Sequence, residues 1–217
     1  MFCAARRYDL VRALADEIDG VALKCDVTSD VDVAELGMAV GGRCDVLVNN
    51  AGGAIGLEDV ADADIDAWTR MYAVNVLGAA RVTKALLPAI EASEGTVVFI
   101  TSVAADGGYE GGAGYCGVKA AERSIAQSLR LELFGRPVRV CEIVPGLVRT
   151  EGFSLTRFAG DHARADAVYD GVPGPLVAED IADCVAFVAT RPAHVNIDRL
   201  TVRPRAQAAQ HKLFRTG

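Results

Sequence analysis

The chain has 217 residues, 51% of them hydrophobic and 24% charged, which suits one globular domain with a sizeable core. Its net charge of −7 argues against general binding to nucleic acid or anionic membranes, whose phosphates it would repel. No apolar run approaches the roughly 20 residues of a membrane helix, and residues 1–7 hold no hydrophobic signal core. Six cysteines (Cys3, Cys25, Cys44, Cys116, Cys141 and Cys184) form no CxxC pair, which points to reduced thiols in a cytoplasmic protein. His162, His194 and His211 have no ligand spacing, so no metal site is expected.

Leu10, Val11, Leu14 and Ile18 recur at helical spacing before Gly20. Residues 21–23 read as a short strand, and Ser29 or Asp30 can cap a helix running to Val40. Residues 44–48 read as a buried strand. A long amphipathic helix over about 62–90 carries Trp68, Met71, Val74, Leu77 and Leu86. Residues 96–100 are apolar on both faces, as in a parallel sheet covered by helices on each side. A helix over 113–134 and a strand over 138–144 follow, ended by Pro145 and Gly146. The glycine- and proline-rich stretch 147–177 reads as a lid. A helix over 179–190 and a strand near 195–202 close the pattern. Such alternation predicts a doubly wound α/β sheet in a single domain over 1–217.

The chemistry concentrates in Asn49-Asn50-Ala51-Gly52, Asn75, Ser102, Tyr115 and Lys119. Tyr115 and Lys119 are four apart, so one helix face presents both. Ser102 lies just past the carboxyl end of a buried strand, where open α/β sheets place their ligands. A free tyrosine, with a pKa of about 10, is a poor acid or base near neutrality. A neighbouring ammonium favours the phenolate, and Lys119 can supply it. With Ser102 hydrogen-bonding a carbonyl or hydroxyl, the set suits hydride transfer at a carbonyl, Tyr115 relaying the proton.

These residues resemble the short-chain dehydrogenase/reductase family. The matching pieces are NNAG at 49–52, Asn75, Ser102, YxxxK at 115–119 and PGxxxT at 145–150, in the family's order and spacing. The resemblance implies a Rossmann-like fold with Ser102, Tyr115, Lys119 and Asn75 as the catalytic set, Asn75 anchoring a water. It places Tyr115 and Lys119 at the nicotinamide ribose, Asn49, Ala51 and Gly52 along the adenosine side, and Pro145, Gly146, Val148 and Thr150 at the carboxamide. Asp26 and Val27 fall where the family meets the adenine. Arg6 and Arg7 fall beside the adenosine ribose, where arginine suits a 2′-phosphate, so NADP(H) is expected over NAD(H). The lid and tail resemble the NADP-dependent 3-hydroxy acid and serine dehydrogenases. That implies a small alcohol or carbonyl substrate, with Arg149, Phe153 and Arg157 as candidate substrate residues and either arginine able to pair with a carboxylate. The family's long helices, here about 62–90 and 113–134, imply a homodimer or homotetramer.

The family's glycine-rich TGxxxGxG turn is absent from these residues. The pattern is expected to begin inside the family's second strand, about 30 residues into the βαβ unit, and to leave that strand short of a partner. This raises an alternative: a non-catalytic chain that keeps the oligomer-forming helices but does not hold a nucleotide. Plainer readings stand beside the chemical ones. Taken alone, Tyr115 and Lys119 are a helix-surface pair, Asn49 and Asn50 a turn, and Arg6 and Arg7 a solvated helix start. Arg149 and Arg157, as lid arginines, are expected to be exposed. Cys116 reads as a packing residue rather than a nucleophile, and Trp68 as core or interface.

Overall fold

The computed structural model describes residues 1–216. Strand β1 (Phe2–Ala5) pairs in parallel with β2 (Val21–Lys24), with helix α1 (Tyr8–Glu17) between them. Helix α2 (Asp30–Val40) starts at Ser29, whose hydroxyl accepts the Asp32 amide, and stops at Gly41, where φ is +72°. Strands β3 (Val46–Asn49), β4 (Thr96–Ile100), β5 (Arg139–Pro145) and β6 (Arg199–Val202) form a second, four-stranded parallel sheet in that order. This is the expected Rossmann-like α/β architecture. The central strands β4 and β5 are buried on both faces, which explains their unbroken apolar runs.

Helices cover both faces. On one, Val33 and Leu36 of α2, Val82, Leu86 and Ile90 of α4 (Ala79–Ala92) and Leu129 of α5 (Ala113–Glu132) pack on Leu47, Val97 and Phe99. On the other, Val188 of α8 (Ala178–Ala189) meets Val98, Cys141 and Ile143. Cys25, Cys116 and Cys141 are buried and all six cysteines are free thiols, used as small apolar residues.

The two sheets do not join. Among the described residues, strand β1 pairs only with β2, and β3 only with β4. Val46 and Val48 are therefore half-exposed, and so are Leu10, Leu14 and Ile18 of α1. The helical spacing of α1 is as expected, but only Val11 and Ala15 are buried. The β1–β2 unit is held instead through α2, which packs on α4, and through Arg81, which donates to Asp30 and to the Val27 carbonyl.

The expected single helix over 62–90 is a composite. Helix α3 (Ile65–Tyr72) runs into a π-helical turn (Ala73–Gly78) and then α4. By length and composition alone residues Ile65–Ala92 would suffice to cross a bilayer, but half of the most apolar window is buried inside the protein, as in a core helix. The lid carries two short helices, α6 (Phe153–Arg157) and α7 (His162–Ala167), and is pinned by a bridge between Val148 and Leu176. A hairpin of β7 (Gln207–Ala209) and β8 (Lys212–Leu213), which carries no clear sequence signal, follows β6.

Candidate active site

The site forms where the carboxyl ends of β3 and β4 meet the start of α5. Gly112 precedes α5, and Gly114 in its first turn lets the Trp68 indole lie against the backbone, where a β-carbon would collide with it. Trp68 thus packs at the site's floor. Tyr115, Val118, Lys119, Glu122, Ala126 and Leu129 form the buried face of α5, at helical spacing. Tyr115 is 9% exposed and Lys119 is 5% exposed. The Phe153 ring from the lid meets Tyr115 edge-on at 5.7 Å between centroids. Lys119 Nζ donates to the Ile100 carbonyl at 3.1 Å and to Glu122 Oε2 at 2.7 Å. Burial pulls the Lys119 pKa down, but attraction to Glu122 and Tyr115 and the Glu122 bond outweigh it, so the ammonium is held above its ordinary range.

Asn75 sits in the π turn, fully buried. Its Nδ2 donates to the Gly53 and Met71 carbonyls at 3.1 and 2.8 Å, and its Oδ1 accepts the Gly53 amide at 3.1 Å. The extra residue of the π turn aims this amide at the loop after β3. A β-carbon at Gly52 would collide with Asn75 Oδ1 and would lie 3.5 Å from Lys119 Nζ, so Gly52, Asn75 and Lys119 converge. Asn75 therefore spends its side chain on that loop rather than on a free polar atom.

Ser102 begins the short helical turn Val103–Asp106 at the end of β4, its Oγ accepting the Ala104 amide at 3.1 Å. Its hydroxyl proton makes no bond among the described residues. Behind it, Arg123 donates to Glu142 Oε1 at 2.7 Å, to Asp106 Oδ1 at 2.7 Å and to the Ser102 carbonyl at 3.4 Å. Thr101 Oγ1 donates to the same Glu142 oxygen at 2.6 Å. Arg199 adds a second partner for Asp106.

The lid closes on this side. Arg157 is half-buried: its guanidinium carbon lies 5.7 Å from the centre of the Tyr115 ring and 5.8 Å from that of Tyr109, and it donates to the Gly56 carbonyl and the Tyr109 hydroxyl. The expectation of an exposed lid arginine fails here, because two aromatic faces and a carbonyl offer the guanidinium more than solvent does. Burial pushes the Tyr109 phenol up in spite of Arg157. Arg149 is exposed as expected, lying 5.5 Å from the Tyr169 ring. In the loop after β5, the Leu147 amide donates to Gln207 Oε1 at 2.8 Å, and the Val148 carbonyl accepts the Tyr169 hydroxyl at 3.1 Å. Pro145, Gly146 and Val148 are largely covered, and Thr150 is exposed.

Arg6, Arg7 and Lys24 lie at the carboxyl ends of β1 and β2, around an open cleft of about 780 Å³ that Tyr8, Asp9 and Leu10 also line. Asp26 Oδ1 accepts the Thr28 amide and hydroxyl, bonds that hold its carboxyl below the ordinary range with help from Arg6. Its carboxylate is thus engaged in a turn. Asn49 is buried and donates to Thr83 Oγ1 at 2.8 Å, tying β3 to α4. Ala51 and Gly52 are exposed, and Val27 packs where a β-carbon on Gly78 would lie.

Residues 1–157 match the model of the short chain dehydrogenase family. The chain belongs to the short-chain dehydrogenase/reductase family. It is 55% identical over 206 residues to an uncharacterized oxidoreductase of Mycobacterium tuberculosis, covering 94% of this chain and 81% of the relative. It is 37% identical over 214 residues to an NADP-dependent 3-hydroxy acid dehydrogenase of Salmonella typhi, covering 96% and 86%. The closed form of a serine dehydrogenase complexed with NADP+ superposes with a TM-score of 0.92 at 33% identity, covering 100% of this chain and 89% of the other.

Sequence reasoning missed Glu122, Arg123, Tyr109 and Gln207. Glu122 was within reach, since it lies three residues beyond Lys119 on the same helix face. Gln207 carried no signal, because only the folded tail brings it beneath the loop after β5.

Proposed function

We infer that the chain is an NADP(H)-dependent oxidoreductase that interconverts a small 3-hydroxy acid and the corresponding carbonyl compound. The observation that carries this reading is Tyr115, backed by the Lys119 ammonium, lying beneath a guanidinium from the lid. Two of the proteins named above act on 3-hydroxy acids or serine by their names, and NADP features in both.

The residues fit such a cofactor at both ends. Arg6, Arg7 and Lys24 give a cationic cleft suited to a ribose 2′-phosphate. Gly52 has no side chain where one would block the approach to Lys119, and the exposed Ala51 and Gly52 backbone offers a surface for the nucleoside. Lys119 would hold the nicotinamide ribose, and the Pro145–Thr150 loop the carboxamide. When bound, the nicotinamide donates or accepts the hydride.

The chain's own residues handle the proton and the substrate. Ser102, whose oxygen is occupied by the Ala104 amide, donates its hydroxyl proton to the substrate oxygen. In reduction Tyr115 gives its phenolic proton to that same oxygen, and the nearby ammonium stabilises the phenolate left behind. In oxidation the proton returns to Tyr115. Asn75 keeps the loop carrying Gly52 and Gly53 in place. Arg157 Nη1 makes no hydrogen bond among the described residues, so it is available to a substrate carboxylate, with Phe153 closing the apolar side.

The chain is expected to work as a homo-oligomer, since Leu77 in the π turn, Leu131 in the last turn of α5 and Phe134 just past it are exposed; sedimentation velocity tests this. The intact set around Tyr115 favours an enzyme over a purely structural subunit.

The deciding experiment is turnover of 3-hydroxy acids with NADP+ and with NAD+, in wild type and Tyr115→Phe. NADP+ is preferred, and the variant loses on the order of 10²–10⁴-fold in kcat while its melting temperature stays close to that of wild type. Equal turnover in the variant overturns the role of Tyr115.

A further inference from the structure

The catalytic set leaves one buried ionisable group without a task. Glu122 is 1% exposed, lies on the same face of α5 as Tyr115 and Lys119, and has its Oε2 2.7 Å from Lys119 Nζ. We propose that Glu122 is a positioning residue, the buried counter-ion that keeps Lys119 charged and fixes its ammonium beside Tyr115. The proposal rests on the reading of Tyr115 and Lys119 given above and deepens it.

Lys119 is itself buried. An ammonium removed from water gives up its proton unless a partner compensates the lost hydration. The Ile100 carbonyl supplies a dipole, and only a carboxylate supplies a charge. Two of the three ammonium protons go to Glu122 and Ile100. This leaves one donor for the side of the site shared by Tyr115 and Gly52. Without Glu122 the lysine would have one fixed partner and no counter-charge, and a neutral amine gives the phenolate no support.

The other charged groups around the pair are already engaged. Glu142, from β5, raises the Glu122 carboxyl, as burial does more strongly, but it is itself bound by Arg123 and Thr101. Asp106, from the turn after β4, is held by Arg123 and Arg199. From the lid, Arg157 lies over the Tyr115 ring. Glu122 is thus the one carboxylate in contact with Lys119 among the described residues.

The test reads the lysine directly. The chain has only four lysines (Lys24, Lys84, Lys119 and Lys212), so ¹³Cε-lysine labelling gives four NMR signals, with Lys119 assigned by its loss in Lys119→Met. In wild type the Lys119 signal titrates above the ordinary lysine range. In Glu122→Gln, of equal shape, its midpoint falls by about 1–3 pH units, while the other three lysines do not move. In Glu142→Gln the Lys119 midpoint moves far less. An unchanged midpoint in a folded Glu122→Gln protein overturns the proposal. If that variant does not fold, the wild-type ¹⁵Nζ spectrum decides. Slowly exchanging ammonium protons at neutral pH support the proposal, and the shift of a neutral amine overturns it. Failure of the hydride-transfer reading is separate: it shows as absent turnover, whatever the lysine titration.

Discussion

Arg157 and Gly56 exchange two hydrogen bonds: the Gly56 amide donates to the Arg157 carbonyl at 2.9 Å, and Arg157 Nε donates back to the Gly56 carbonyl at 3.0 Å. This pair fastens the lid helix α6 to the loop after β3, so the lid's position over Tyr115 is set by backbone as well as side chain. It also leaves Arg157 Nη1, beside the Tyr115 ring, without a hydrogen bond among the described residues.

Arg157→Ala removes a charge-assisted bond to a substrate carboxylate, a contact of about 1.5–3 kcal/mol. At about 1.4 kcal/mol per tenfold, KM for 3-hydroxy acids rises roughly 10–150-fold. KM for a neutral alcohol of similar size changes far less. Steady-state kinetics on an acid and its neutral analogue check this, and an unchanged KM for the acid removes Arg157 from the substrate site.

The sequence made the order of strands and helices legible because β4 and β5 are buried on both faces and their apolar runs have few other uses. Tyr115, Lys119 and Ser102 were legible because helix spacing and strand ends place them without long-range knowledge. The π turn was not, since its residues read like ordinary helix and only the folded contact of Asn75 with Gly53 reveals its purpose. The half-buried placement of Arg157 was hidden for a similar reason. Its partners, Gly56 and Tyr109, are 101 and 48 residues away in the chain. The outward turn of Leu10, Leu14 and Ile18 was unreadable too, because helical spacing reports a face but not what covers it.

Acid should destabilise the fold through Asp106. Burial raises its carboxyl, but Arg199 and Arg123 outweigh that and leave it below the usual range. A lowered folded pKa means the contribution is complete above the unfolded value of about 3.9 and is lost as pH falls through the folded value. Asp26, held by Thr28, acts in the same direction. The melting temperature therefore declines below about pH 4, and Asp106→Asn flattens part of that decline while lowering stability at neutral pH. Thermal melts of both proteins between pH 3 and 7 (a range set by ordinary carboxylate values of about 4) check it; parallel curves would show that Asp106 is not linked to folding.

Gln207 joins the tail to the loop after β5. Its Oε1 accepts the Leu147 amide at 2.8 Å, and the α-carbon of Gly146 lies so close that a β-carbon there would strike that oxygen. The residue is 8% exposed, so no water freely replaces it. Gln207→Ala strands the Leu147 amide, a loss of about 1–3 kcal/mol, and frees the loop proposed to hold the carboxamide. Two readouts should move together: the melting temperature falls by several degrees, and Kd for NADPH rises. Gln207→Glu keeps an acceptor oxygen at the same reach and should recover most of the cofactor affinity. A fall in stability with Kd unchanged in Gln207→Ala would confine Gln207 to packing the tail, and would mean that the loop holds its shape through its other bonds, the Val148–Leu176 bridge and the Tyr169 hydroxyl on the Val148 carbonyl among them.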